Sequence, residues 1–205
     1  IIDKFMDYAR PGETKMVPVN VTKLVEEEAA RFRDPTQIRI QSRLGPDLQV
    51  VADETELGRV FLNLFENARR YGRGTYTGIA EVDVWHVKAG PWLIVSVRDH
   101  GPGVAPEKLA QLTTPFFRGD TARTAATGAG LGLAIVEKAV ARMGGSLELA
   151  NAPEGGLIAH IRLKRVQSGR TGGSGKSGRD RNGGNGGGTP SSIMGDSNFA
   201  WADTK

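Results

Sequence analysis

The chain has 205 residues, contains no cysteine and carries a formal net charge of +4, from 27 lysine and arginine residues against 23 aspartate and glutamate residues. This length allows one domain of ordinary size plus additional sequence. Without cysteine, disulfides and thiolate metal sites are excluded. No run approaches the roughly 18 apolar residues of a membrane helix, so we expect a soluble chain, which could still be a piece of a membrane protein.

The ends of the chain differ in composition from its middle. Residues 1–12 place apolar side chains at helical spacing and stop at a Pro-Gly pair, which predicts the end of a longer, truncated helix. Residues 166–205 are dominated by Gly, Ser, Asn and Arg, which predicts a flexible tail, natural or engineered. Residues 13–165 remain as the folded domain. The positive charge lies partly in the tail and no basic stripe with interleaved aromatics lies in the domain, so we expect no nucleic-acid partner.

The first elements of the domain are an extended piece and a helix. Asn20 is placed to cap this helix, and its acidic residues Glu26, Glu27 and Glu28 are expected to face solvent. Alternation of apolar and polar residues then predicts two strands, "QIRIQSR" and "LQVVA".

The longest periodic segment, residues 53–72, predicts a helix with Asp53 as its N-cap and Gly72 at its end. The elements that follow are strands "IAEVDVWHV" and "WLIVSVRD", an irregular stretch over 100–127 with a short helix after Pro106, a helix over about 129–143, and the closing hairpin "SLELANAPEGGLIAHIRLKR". This order lacks strict βαβ alternation. It predicts an α+β fold, a two-layer α/β sandwich whose mixed, mostly antiparallel sheet is covered on one face by helices.

The 53–72 helix has two distinct faces. Asn63, Asn67 and Arg70 share one face, at i, i+4 and i+7. Asparagine is a poor residue inside a helix, but its amide oxygen can take one position around Mg²⁺ while phosphate oxygens take others. The alternative is a solvated polar face. The apolar stripe, which predicts the core, consists of Leu57, Phe61, Leu64 and Ala68.

A second motif, "VRDHGPGV", ends a strand. Asp99 closes the alternating apolar run, and Gly101 and Gly103 follow it with little steric cover. A carboxylate in this position can accept a hydrogen bond from an exocyclic amine and so select adenine over guanine. Alternatively, Asp99 closes a turn by bonding to nearby N–H groups.

A third motif, "TTPFFRGDTART", is an otherwise polar loop that contains two aromatic residues. Phe116 and Phe117 could be a core anchor or a hydrophobic latch. Arg118 and Arg123 could reach a triphosphate, or could be surface charges.

The fourth motif, "GAGLGLAIVEKAV", places three glycines directly before a helix. Gly128, Gly130 and Gly132 would allow a ligand to approach the backbone closely, and free N–H groups at a helix start favour an anion such as phosphate. Packing alone also explains such glycines in many proteins.

In order along the chain, "NLFENARRY", "DHGPGV", "TPFFRGD" and "GAGLGLAIV" resemble the N, G1, F and G2 boxes of the sensor histidine kinases, most of all the EnvZ osmosensor type. These kinases belong to the GHKL ATPase group, with gyrase, the MutL repair proteins and a heat-shock chaperone, which share the Bergerat fold. The resemblance implies a histidine protein kinase whose catalytic domain binds Mg-ATP and presents its γ-phosphoryl group to a histidine.

The resemblance also implies roles for individual residues. Asn67 would be the Mg²⁺ ligand, Asp99 would bond the adenine amino group, and Asn63, Arg118 and Arg123 would act in catalysis near the phosphates. Residues 104–127 would form a mobile ATP lid that Phe116 and Phe117 anchor. The other implied ATP contacts are Arg70, Tyr71, Gly101, Gly103, Gly128, Ala129, Gly130, Leu131, Gly132 and Leu133.

The phosphoacceptor is absent from this sequence. Residues 1–12 resemble the end of the second helix of the dimerisation hairpin, which would carry the acceptor upstream, and none of His86, His100 and His160 follows the acceptor motif. We therefore expect ATP binding without self-phosphorylation. The implied partners are that hairpin and an OmpR-like response regulator, in a homodimeric protein of the bacterial inner membrane whose cytoplasmic part includes this domain.

Two other functions are weighed. The domain could hold nucleotide or partner proteins without phosphotransfer. It could instead hydrolyse ATP, as gyrase does, but Asn63 stands where that group has a water-activating glutamate, and Glu66 points about 100° away from Asn67 around the helix. The sequence also departs from the family at Ala129, where Ser or Thr is usual, and at His100, where an acid or amide is usual.

Overall fold

The computed structural model describes residues 13–74, 77–117 and 130–166. The chain divides into two units, residues 1–168 and 169–205, and every described residue belongs to the first. The predicted helix over residues 1–12 and the predicted tail from residue 167 onward lie outside the described residues.

The described residues form seven strands, three α-helices and one short 3₁₀-helix. In chain order they are β1 (Val17–Asn20), α1 (Val21–Ala29), β2 (Ile38–Ser42), β3 (Gln49–Ala52), α2 (Glu54–Tyr71), β4 (Ala80–Ala89), β5 (Trp92–Asp99), the 3₁₀-helix (Pro106–Gln111), α3 (Gly132–Arg142), β6 (Ser146–Asn151) and β7 (Leu157–Lys164). None of the described helices is long and apolar enough to cross a membrane.

The strands form a five-stranded sheet and a separate pair. The order in the larger sheet is β2-β4-β5-β7-β6, in which β2 and β4 run parallel and every other neighbouring pair is antiparallel. Strands β1 and β3 form an antiparallel pair of their own. The predicted α+β sandwich with a mixed, mostly antiparallel sheet is confirmed.

The predicted helix caps are present. The side chain of Asn20 accepts a hydrogen bond from the Lys23 N–H at 3.1 Å, and that of Asp53 accepts one from the Glu56 N–H at 3.0 Å. Helix α2 ends at Gly72, whose N–H bonds to the carbonyl oxygen of Ala68. Each cap satisfies a backbone group that the helix leaves unpaired, which stabilises the helix by about 1 kcal/mol.

The core lies between α2 and one face of the five-stranded sheet. All four residues of the predicted stripe on α2 are buried, together with alternate residues of the central strands such as Val82, Val95 and Ile161. Each fully buried side chain of this size contributes about 1.5–3 kcal/mol. The stripe therefore fixes which face of α2 stays free for a site.

The prediction for Glu28 is wrong. Glu26 and Glu27 are exposed, but Glu28 is only 7% exposed. It packs over α2 where Gly58 leaves room, and its Oε2 lies 2.9 Å from Nε of Arg31. Burial raises the pKa of the Glu28 carboxyl group, and the charge of Arg31 opposes this rise.

Candidate nucleotide-binding site

The first part of the site surrounds the carboxylate of Asp99, which is 9% exposed at the end of β5. Its Oδ1 accepts hydrogen bonds from the N–H groups of Gly101 at 2.9 Å and Leu157 at 3.2 Å. Within the described part of the chain, no hydrogen bond occupies Oδ2. Burial raises the pKa of Asp99, and the two N–H groups oppose this rise. Oδ1 therefore stabilises the local fold, and Oδ2 remains available as a hydrogen-bond acceptor.

Glycines allow the chain to close around Asp99. A Cβ atom on Gly72 would lie 2.5 Å from the Cβ of Asp99, and one on Gly101 would lie 2.7 Å from the Cα of Gly72. A Cβ on Gly156 would overlap the backbone oxygen of Asp99. The sequence predicted Gly101 as a site residue because a base must approach it, whereas here its missing side chain makes room for the end of α2. The contributions of Gly72 and Gly156 were not predicted.

A further residue of this region, Asn151, was also missed. Its Oδ1 accepts a hydrogen bond from the N–H of Val104 at 2.9 Å, and its Nδ2 donates one to the carbonyl oxygen of Val104 at 2.5 Å. Gly103, between Asp99 and this contact, has a φ of 73°. An asparagine at the end of a strand is no specific signal in the sequence, because turns favour the same residue.

The second part of the site lies where α2 meets the start of α3. Gly132 begins α3, and a Cβ atom there would lie 3.7 Å from Oδ1 of Asn63 on α2. Among the described residues, no side chain caps this helix start, and the first N–H groups of a helix suit an anion. The structure thus brings the predicted glycine motif and the predicted asparagine face together.

The polar face of α2 continues from Asn63 toward the end of the helix. The Nδ2 of Asn63 donates a hydrogen bond to the carbonyl oxygen of Arg59 at 2.8 Å, and its Oδ1 lies on the side of α3. Asn67 and Arg70 follow on the same face and are partly buried, and Tyr71 is 38% exposed. This face supplies amide and guanidinium groups beside a helix start, a combination suited to phosphate oxygens.

The third and fourth motifs contact each other through their backbones. The N–H of Phe116 donates to the carbonyl oxygen of Gly130 at 3.0 Å. Gly130 has a φ of 67°, and a Cβ atom there would lie 2.8 Å from the carbonyl oxygen of Phe117. Phe116 is 59% exposed, so of the two alternatives for this residue the core anchor is wrong; Phe117 is partly buried.

The remaining predicted residues are of two kinds. Leu131 and Leu133 are buried in the core, so only their backbone groups are in a position to meet a ligand. Arg118, Arg123, Gly128 and Ala129 lie outside the described residues.

The described residues contain no group of three or more His, Cys, Asp or Glu side chains that could hold a metal ion. A single amide oxygen, that of Asn67, suits Mg²⁺ when the nucleotide phosphates and water supply the other ligands, because Mg²⁺ keeps several waters and binds few protein groups. The donor set therefore fits a metal that arrives with a nucleotide.

Comparison with known proteins identifies a family for the chain. Residues 52–167 match the family model for histidine kinase-, DNA gyrase B-, and HSP90-like ATPases, which is more than half of the chain. A probable sensor histidine kinase of Mycobacterium tuberculosis is 35% identical over 80% of this chain, which spans 42% of that protein. A sensor histidine kinase component of the same organism is 38% identical over 70% of this chain, which spans 80% of that protein.

Solved structures give the same result. The mycobacterial sensor histidine kinase MprB matches with a TM-score of 0.64 and 30% identity, over 73% of this chain and 98% of that one. The histidine kinase domain of the E. coli osmosensor EnvZ matches with a TM-score of 0.55 and 32% identity, over 82% of this chain and all of that one. The chain belongs to the histidine kinase-, DNA gyrase B-, and HSP90-like ATPase family, and it is an ATP-binding catalytic domain of the sensor histidine kinase type.

Proposed function

We propose that this domain holds Mg-ATP with its adenine at Asp99 and its phosphates between α2 and α3, and presents the γ-phosphoryl group to a histidine on a separate dimerisation hairpin. The observation that carries the proposal is the convergence of the Asn63 face of α2 on the start of α3 at Gly132, which no described side chain caps. Phosphoryl transfer depends mainly on positioning and charge neutralisation, and these groups provide both.

Adenine is selected at Asp99. With Oδ1 held by two N–H groups, Oδ2 accepts a hydrogen bond from the exocyclic amine of the base. Guanine presents a carbonyl oxygen where adenine presents this amine, so a carboxylate there repels it.

The phosphates are held by α2 and the start of α3. Asn67 would supply one oxygen to Mg²⁺, which when bound would neutralise charge on the phosphate oxygens. Asn63 and Arg70 flank the phosphates, with Tyr71 beside the nucleotide. On the family resemblance, Arg118 and Arg123 act near the γ-phosphate, and Gly128 and Ala129 add backbone donors.

In this proposal the acceptor is not one of the histidines of this chain, because none of them follows the acceptor motif. His160 is 2% exposed, bonds to Oγ of Ser96 at 2.7 Å, and burial lowers its pKa to about 4. The Nε2 of His100 lies 2.8 Å from Oδ2 of Asp83, and burial lowers the pKa of His86. The domain therefore acts on a histidine supplied by another segment or chain.

Hydrolysis of ATP is a poorer assignment. Asn63 occupies the position from which a glutamate would activate water one turn before Asn67, and a neutral amide is no general base. The phosphoryl group instead passes from the acceptor histidine to an OmpR-like response regulator. The whole protein is then a homodimer with this domain on the cytoplasmic side of a bacterial inner membrane.

Calorimetric titration of the chain with ATP tests the proposal, with and without Mg²⁺ and against GTP. We expect ATP to bind with a dissociation constant in the micromolar to sub-millimolar range, to require Mg²⁺ for full affinity, and to exclude GTP. An isolated acceptor hairpin added to the domain and labelled ATP should then become labelled on histidine. Absence of nucleotide binding would instead leave a partner-binding module.

A further inference from the structure

We propose that Asn151 is a positioning residue for adenine recognition, because its side-chain amide fixes Val104 and so holds the turn over residues 99–104 in the form that directs Oδ2 of Asp99 to the base. The inference rests on the proposed role of Asp99. Asn151 lies at the end of β6, remote in sequence from the turn that it holds.

The contact between Asn151 and Val104 has two points. The amide oxygen accepts from the Val104 N–H at 2.9 Å, and the amide nitrogen donates to the Val104 carbonyl oxygen at 2.5 Å. A primary amide that bonds both backbone groups of one residue copies the pairing of a neighbouring strand. Two bonds to one residue fix its orientation as well as its distance.

Gly103 makes this contact possible. Its φ of 73° is in the left-handed region, and a Cβ atom on it would lie 2.9 Å from Oδ1 of Asn151. A side chain at this position would therefore crowd the amide as well as strain the backbone. Gly103 and Asn151 act as a matched pair, in which the glycine lets the turn approach and the amide holds it.

The same residue reaches Asp99 from the other side. Asn151 faces Leu157 in the register of β6 and β7, and the N–H of Leu157 donates to Oδ1 of Asp99 at 3.2 Å. The hairpin turn between the two strands is closed by a hydrogen bond from the N–H of Ala152 to the carbonyl oxygen of Gly156 at 2.9 Å. One hairpin thus holds both ends of the Asp99 turn, the start through Leu157 and the end through Asn151.

Truncation of Asn151 leaves two backbone groups of a partly buried residue without these partners. The turn must then shift to satisfy them, which moves Asp99 away from the base and leaves the phosphate end unchanged. A role limited to stability would weaken every ligand equally or none. The distinguishing quantity is therefore the affinity for ATP relative to the affinity for inorganic triphosphate.

The test compares Asn151→Ala, Asn151→Asp and Glu148→Ala in the 205-residue chain, by calorimetry with Mg-ATP and with Mg-triphosphate. Asn151→Ala is expected to weaken ATP about tenfold and triphosphate less than about twofold. Asn151→Asp keeps the oxygen acceptor and loses the donor, so its ATP affinity should fall between those of the wild type and Asn151→Ala. Glu148 is exposed on the same strand, and its variant should bind both ligands as the wild type does.

Amide hydrogen exchange supplies the second measurement. The Val104 N–H should exchange about ten times faster in Asn151→Ala and stay protected in Asn151→Asp. If Asn151→Ala binds ATP as the wild type does while Asp99→Asn weakens it, the inference is overturned and the proposed site stands. If Asp99→Asn also leaves ATP affinity unchanged, both fail. Equal weakening of ATP and triphosphate in a folded Asn151→Asp would reduce Asn151 to a structural residue and overturn the inference.

Discussion

The proposed adenine end and the proposed phosphate end of the site are built in different ways. At the adenine end, Asp99 is buried and one of its oxygens is already bonded by the N–H groups of Gly101 and Leu157. At the phosphate end, the side chains of Asn67 and Arg70 make no hydrogen bond or ion pair with another described residue. The proposed base contact is therefore held by bonds within the domain, whereas Asn67 and Arg70 lack such bonds to described residues, and we expect the ligand to order them.

The largest expected effect tests how tightly the adenine end is packed. Gly155 and Gly156 have nearly equal φ values, 95° and 93°. A Cβ atom on Gly156 would overlap the backbone oxygen of Asp99, whereas a Cβ atom on Gly155 would lie 3.4 Å from the backbone oxygen of Gly101. We expect Gly155→Ala to lower the free energy of unfolding by about 1–2 kcal/mol and Gly156→Ala by about 4 kcal/mol. Urea denaturation measures both, and equal losses would mean that the packing is loose.

The next largest effect comes from a substitution at the proposed phosphate end alone. Asn67→Ala should weaken Mg-ATP binding about a hundredfold and abolish its dependence on Mg²⁺, because the metal loses its protein ligand. Titration with and without Mg²⁺ measures this change. Glu66→Gln is the control, since residue 66 points to another side of α2. A Mg²⁺ dependence that survives in Asn67→Ala would exclude Asn67 as a ligand.

A smaller effect breaks the adenine end alone. Asp99→Asn keeps the Oδ1 acceptor for Gly101 and Leu157 but replaces the acceptor Oδ2 with a donor, so ATP should bind about tenfold more weakly while triphosphate binds normally. Burial raises the pKa of Asp99, which means that the folded state disfavours its charge, so the substitution should not lower the melting temperature. A parallel loss of triphosphate affinity would contradict the separation of the two ends.

The smallest effect is a pH dependence. Because the folded pKa of Asp99 is raised, the proton returns to this carboxylate at a higher pH than to an ordinary aspartate, and the acceptor for adenine is lost on acidification. The ratio of ATP affinity to triphosphate affinity should therefore fall a few-fold as the pH is lowered from 7 toward 5. Because both ligands carry phosphates, the effect of phosphate protonation on affinity cancels in this ratio. In Asp99→Asn the ratio should not change with pH.

Local signals in the sequence predicted much of this fold. The bounds of α2 and the caps at Asn20 and Asp53 depend on residues three or four apart, and all were predicted. The pairing of β1 with β3 and the parallel pairing of β2 with β4 were not predicted, because strand neighbours depend on distant parts of the chain. The burial of Glu28 was missed for the same reason, since it requires a glycine on another helix.

The site residues show the same difference between local signals, which were predicted, and distant contacts, which were not. Asn63 and Gly132 were predicted because each belongs to a motif that can be recognised within one short segment of the sequence. The structure brings the two motifs together. Asn151 lies 47 residues from Val104, and nothing near either residue indicates the contact. Contacts that position a site from a distance are therefore the part that only a folded structure reveals.

The place of β7 in the sheet has a consequence for how the protein is made. Strand β7 lies between β5 and β6, and its Leu157 bonds to a residue 58 positions earlier in the chain. During synthesis, α2 can form with its asparagines long before β7 leaves the ribosome, because a helix needs only local contacts. A nascent chain can therefore form α2 early, whereas β7, which bonds to Asp99 and supplies Ile161 and Leu163 to the core, joins the sheet later, and a stop codon within β7 would leave both the sheet and the proposed base site incomplete.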